Sequence, residues 1–201
     1  MKTLRISTGL LTIACLILAA ACSTPIELTS WKDPNQNKQV SKLVVLALFD
    51  KLTNIQSMED AVSSYFTSQG TQTIEALTFM VPFKQYSVDE VQKKMDSLGA
   101  DGLMIITPKG TDVSIYSQPT YYGFYRGYWG GMAAGTSIST STTYNLRANL
   151  YTTKGDGLLW TGDIAVTDPN DVGSSMRAIA QKMFADLVQK NIVKGPPPTT
   201  K

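Results

Sequence analysis

The chain has 201 residues, with 18 Lys+Arg against 16 Asp+Glu, no His and two Cys. Both cysteines, Cys15 and Cys22, lie in the first 22 residues, and Lys2 and Arg5 account for the net charge of +2, so the remainder is neutral and carries neither thiol nor imidazole. That excludes disulfides, Cys or His metal sites and Ser/His/Asp triads from the folded part, and leaves no basic excess to suit nucleic acid.

Lys2 and Arg5 form a positive start, Ile6 to Leu18 is largely apolar, and Ala19-Ala20-Ala21 supplies small residues before Cys22. Residues 1–21 therefore read as a secretory signal, because a mature spanning helix needs about 20 apolar residues. Small residues followed at once by Cys resemble the lipobox of bacterial lipoproteins, in which the Cys is diacylated and becomes the new amino terminus. Leu18 stands one place further back than the usual box has it, and Cys15, preceded by Thr12 in the box, matches less well. The resemblance implies lipidation at Cys22, a palmitate-type anchor, with chains contributing about 0.8 kcal/mol per buried CH2. Ser23, rather than Asp, after the Cys implies by the same resemblance the outer membrane, facing the periplasm.

Residues 22–42 are polar, with Pro25, Pro34 and Asn35-Gln36-Asn37, and read as a lipidated tether in which Trp31 docks on the domain and Asp33-Pro34 turns the chain. A single domain is expected over 43–193. Leu43 to Phe49 is an uninterrupted apolar run, the pattern of a strand covered on both faces. Met58, Ala61, Val62, Tyr65 and Phe66 follow at helical spacing, with Ser57 and Asp60 as a capping box and Gly70 as the stop. Thr71 to Leu77 is β-prone. Ser87 and Glu90 make a stronger box, opening a helix with Val88, Val91, Met95 and Leu98 inward. Gly99-Ala100-Asp101-Gly102 closes that helix before the buried strand Leu103 to Ile106. The order βαβαβ implies parallel strands.

From Asp112 the pattern changes. Asp112 to Tyr116 reads as a short strand, and residues 117–142 as a Gly/Tyr-rich insertion. Tyr144 to Leu150 and Leu158 to Val166 then form an antiparallel hairpin, in which Asp163 points away from the core. Asp168 and Asp171 read as caps, with Pro169 opening a final helix whose stripe runs from Val172 to Val188. Residues 194–201, with Pro196-Pro197-Pro198, are expected to be a disordered tail. The expected fold is thus α/β, a mixed sheet of about 5–6 strands in a two-layer sandwich: βαβαβ, an antiparallel hairpin and a carboxy-terminal helix.

The most unusual stretch holds Tyr121, Tyr122, Phe124, Tyr125, Arg126, Tyr128 and Trp129 among glycines. Such rings bury large areas with few torsions, so the segment is a candidate binding surface for a protein or a sugar. The plainer reading is a hairpin extension whose rings fold back on the sheet. No catalytic residues, metal ligands or cofactor are expected. Asp101, Asp163, Asp168 and Asp171 have structural explanations, and no base stands ready to activate Ser139, Thr140 or Ser141.

Trp31-Lys32-Asp33-Pro34, Gly99-Ala100-Asp101-Gly102 and Leu158-Leu159-Trp160-Thr161 are similar to landmarks of bacterial outer-membrane lipoproteins with a domain of unknown function, over roughly Ser30 to Val193. The element order also looks like the penicillin-binding-protein activator lipoproteins and the amino-terminal domain of TolB, a topological likeness that conveys no function. The expectation is a non-catalytic, lipid-anchored envelope protein binding an envelope protein or peptidoglycan. The alternatives are a glycan-acting enzyme using acidic residues and a self-assembling structural protein.

Overall fold

The computed structural model describes residues 25–119, 136–153, 157–169 and 171–195. Strands β1 (Ile26–Lys32), β2 (Lys42–Ala47), β3 (Gln72–Glu75), β4 (Gly102–Pro119), β5 (Thr136–Thr152) and β6 (Leu158–Thr167) form one sheet, in the order β1-β6-β5-β4-β2-β3. Helix α1 (Leu52–Ser68) joins β2 to β3, α2 (Val88–Leu98) joins β3 to β4, and α3 (Val172–Gln189) follows β6. Pairing of β2 with β3 and with β4 is parallel, and every other pairing is antiparallel. The mixed α/β sheet of the expected class is therefore present, with its parallel half built from the βαβαβ part and its antiparallel half from the hairpin.

The unbroken apolar run of β2 has the expected consequence. Leu43, Val45 and Ala47 belong to the main core, where α1 contributes Met58, Val62 and Phe66 and α3 contributes Ile179, Met183 and Leu187. Val44 belongs to a second core with Ala76, Met80, Met95 and Leu103, which α2 covers. Alternate residues of one strand thus meet different helices, which is why no polar residue interrupts it. Phe66 and Phe184 meet edge to face at 5.0 Å where α1 packs on α3.

Several boundaries differ from the sequence reading. The stretch read as a tether contains β1, whose full length pairs with β6 from Ile26↔Val166 to Lys32↔Trp160. Its Ile-Glu-Leu-Thr-Ser-Trp-Lys alternation is the period-2 signal of a half-covered edge strand. Trp31, expected to dock, stays 49% exposed on that strand. Helix α1 begins at Leu52 behind Lys51, with no side-chain cap, so Ser57 and Asp60 lie inside it. Buried Ile55 extends the Met58, Val62, Phe66 stripe one turn back and is the signal for that earlier start.

In α2 the Ser87/Glu90 box and the left-handed Gly99 cap are both present, but Val88 faces solvent, being 84% exposed. The expected short strand at Asp112 is the continuation of β4, which passes through an irregularity between Pro108 and Gly110. Pro-Lys-Gly resembles a turn in sequence, yet here it marks a bulge, with Gly110 at φ 130°. The insertion expected over 117–142 is correspondingly shorter, because β4 runs to Pro119 and β5 starts at Thr136. Asp171 caps α3, whereas Asp168 and Pro169 precede the helix and Val172 is half exposed.

Candidate functional site

Cys22 and the aromatic residues Tyr121, Tyr122, Phe124, Tyr125, Arg126, Tyr128 and Trp129 lie outside the described residues. The acids weighed from sequence are all engaged locally. Asp163 points off the uncovered sheet face and accepts two hydrogen bonds from the Arg147 guanidinium, at 2.7 and 2.8 Å. That fork holds its carboxyl below the usual range. Asp101 accepts the N–H groups of Ser41 and Lys42 and so ties the start of β2 to the turn before β4. Asp168 accepts from Thr142 N–H and the Ser141 hydroxyl, and Asp171 accepts from Ser174 N–H at the mouth of α3.

The sequence reading missed Glu59. It sits on the inner face of α1, fully buried, where its Oε1 accepts the Ala47 N–H at 3.0 Å and its Oε2 accepts the Leu77 N–H at 2.9 Å. Those groups lie at the last residue of β2 and in the 3-10 turn after β3, past the end of the pairing between these two strands. Burial pushes the Glu59 carboxyl up, and the Leu77 and Ala47 hydrogen bonds and the nearby Glu75 adjust it in opposing directions. The available signal was its place between Ile55, Met58 and Val62 on the helical stripe, where a carboxylate needs buried partners.

Above Glu59 lies a groove of about 600 Å³, walled by Leu46 to Asp50, Ile55, Ala76, Leu77 and the segment Met80 to Tyr86. It opens at the carboxyl ends of β2 and β3, where parallel strands of α/β sheets commonly place ligands. Its rim is apolar: Leu48, Val81 and Phe83 are 50%, 63% and 66% exposed. The rim segment is braced from below. Val81 N–H donates to the Tyr86 hydroxyl at 2.8 Å, and Lys94 donates to Phe79 O at 3.1 Å. The Lys84 ammonium stands 4.7 Å from the centroid of the Tyr86 ring. Phe83 is held at φ 63°, a left-handed conformation that costs a non-Gly residue energy, and its ring is turned to solvent.

A second, polar depression of about 510 Å³ lies on the uncovered face of the antiparallel half, bordered by Glu27, Lys109, Asp112, Asn145 and Asp163. Asn145 donates to Asp112 at 2.6 Å and the Arg147 guanidinium holds Asp163, so these two acids are already engaged. Among the described residues, no group of three or more His, Cys, Asp or Glu could hold a metal ion. Among the same residues, no helix is long and apolar enough to cross a membrane.

Sheet and helices together define an α/β sandwich on an open mixed sheet. No family model matches the sequence, and no curated protein matches it either. Solved structures do. A PelC dodecamer from Paraburkholderia phytofirmans is 9% identical over 82% of this chain and 98% of its own, with a TM-score of 0.46. Lipoprotein GNA1162 from Neisseria meningitidis is 14% identical over 75% of this chain and 99% of its own, with a TM-score of 0.43. At these identities no residue role passes from those proteins to this chain.

Proposed function

We propose that this chain is a non-catalytic lipoprotein of the bacterial envelope, anchored through Cys22 in the outer membrane and facing the periplasm, that binds an envelope protein. The reading of location rests on the lipobox-like end of the leader. For binding, the observation that carries it is the exposed apolar rim of Leu48, Val81 and Phe83 around the groove. Water-facing aliphatic and aromatic side chains gathered at one cavity are characteristic of a contact surface. A protein segment offering one or two apolar side chains fits it, and the aromatic stretch from Tyr121 to Trp129 stays within the proposal as a second contact. The glycan-enzyme alternative gains no support from the described acids weighed as catalysts, each of which is occupied by an Arg or by backbone N–H groups.

Palmitate labelling of wild type and Cys22→Ser, with a photo-crosslinking residue at position 83, tests both halves. The expected result is label on the wild type alone and a discrete crosslinked species in intact cells. That species should be lost in a Leu48→Ser, Val81→Ser double variant of unchanged melting temperature. Unlabelled, freely released wild type would end the anchoring half. Labelled protein without any crosslink at position 83 would end the groove half.

A further inference from the structure

Strands β4 and β5 outrun the rest of the sheet. β4 pairs with β2 only as far as Ile106, and β5 pairs with β6 only from Thr143 onward. From Val113↔Thr142 to Pro119↔Thr136 the two strands pair with each other alone. At about 3.4 Å per residue this arm of two strands projects about 24 Å past the sheet. Among the described residues no further strand lies along either side, so beyond Thr142, whose N–H and C=O are both held by Asp168, each edge presents a row of backbone N–H and C=O groups.

Natural sheets blunt such edges with charges, bulges or Pro, and a ribbon of two strands is marginal in water by itself. This arm has little of that protection. No charged residue occurs from Val113 to Pro119 or from Thr136 to Thr143, and the irregularity in β4 lies back at Pro108 to Gly110, before the arm begins. Pro119 blunts it at the outer end and Asp168, bonded to Thr142 and Ser141, at the base of the β5 edge, which leaves the stretch between them open. Val113, Ile115 and Tyr116 on β4, and Thr136, Ile138, Thr140 and Thr142 on β5, are residue types that favour further strand pairing.

We propose that the β4–β5 arm is a self-association surface, pairing edge to edge with the arm of a second copy of this chain. The arm is complementary to itself: it offers one β4 edge and one β5 edge of equal length. When two arms point the same way, the β5 of one and the β4 of the next run antiparallel, the pairing already present within each arm. Such a contact is head to tail, so copies add to both sides, forming a ring where the rotation closes and a filament where it does not. The amino-terminal end of the described chain supplies the common direction. Ile26 is level with Val166, Tyr144 and Thr111, at the base of the arm. Copies held at residue 22 in one membrane would therefore present parallel arms at high local concentration. Only this last step rests on the anchoring proposed above.

The test uses the full mature chain, anchored in cells and as soluble Cys22→Ser. Two variants, Ser114→Cys on β4 and Ser141→Cys on β5, are co-expressed and oxidised, once with Cys22 kept for the anchored half of the test and once in the Cys22→Ser background for the soluble one. A disulfide-linked dimer of this chain is expected from the mixture, in greater yield than from either variant alone. Sedimentation should show concentration-dependent association, weakened about tenfold by Ile115→Lys with Thr140→Lys, while the melting temperature holds. Monomer at all concentrations with no crosslink, both in solution and in palmitate-labelled cells, overturns the proposal and leaves the anchoring intact. A crosslink only to a different protein, or cysteines shielded by lipid from aqueous maleimide, overturns it as well. Arm-dependent association of an unlabelled, released protein would sustain it while removing the anchor.

Discussion

At Glu59 one carboxylate holds the N–H groups of Ala47 and Leu77 in a site closed to water. Glu59→Ala leaves both donors buried and unmet, and should lower unfolding free energy by about 2–4 kcal/mol in urea titrations. A pH dependence follows from the same burial. The folded-state pKa is raised, so the stability tied to the protonated carboxyl is full below the ordinary value of about 4.3 and is lost as pH rises through the higher folded value. The stability difference between wild type and Glu59→Gln should therefore shrink as pH is taken from 4 to 8. A difference that widened with pH would show the carboxyl to be depressed instead. Gly162 makes a steric prediction. A Cβ there would stand 2.5 Å from the buried Trp160 ring and 2.9 Å from Leu28. Gly162→Ala should cost about 1–3 kcal/mol and lower the melting temperature, by overpacking rather than by any loss of backbone freedom.

Strand β1 is bound to the domain by more than its ladder with β6. Asp186 on α3 accepts from the Trp160 indole at 2.7 Å and from the Ser30 hydroxyl at 2.8 Å, and Lys190 bridges to the same carboxylate. Lys32 donates to Lys190 O at 2.9 Å, closing a clasp between β1, β6 and α3. Deleting residues 23–32 should therefore lower the melting temperature sharply and promote aggregation through the bared β6 edge, as a light-scattering assay would record. A pure tether would lose nothing. The helix ends allow a milder test. Ser87→Ala removes the capping box of α2 and should cost about 1 kcal/mol, and Asp171→Ala should cost α3 a similar amount.

Over the whole molecule, the two apolar clusters share β2, β4 and the connections between them, so they cannot separate without breaking the sheet. Soluble Cys22→Ser protein should unfold in one transition, with far-UV circular dichroism and Trp fluorescence superimposable against urea. Two resolved transitions would mean that the parallel half and the hairpin half fold independently. The chain ends lie far apart in role. Ile26 starts beside the base of the projecting arm, while Ile192 and Val193 are buried, with Val40 N–H donating to Ile192 O at 2.7 Å. A tag placed after Lys194 is therefore compatible with the fold, whereas truncation before Ile192 should unfold it.

Local chemistry alone determined much of this protein. The continuous apolar run of β2, the Ser87/Glu90 box, the Gly99 cap and the outward place of Asp163 follow from nearest-neighbour periodicity and capping, and each is present. A lipobox-like leader with no His or Cys beyond it bounds the chemistry in the same local way. Tertiary structure decided what depends on residues distant in the chain. Residues 26–32 alternate in the period of a strand, but they are held as one because β6, more than 120 residues later, supplies their hydrogen bonds, and no local pattern names that partner. Leu48, Val81 and Phe83 share a rim because two strands end side by side, and Glu59 is tolerable inside only because those ends leave two N–H groups for it to hold.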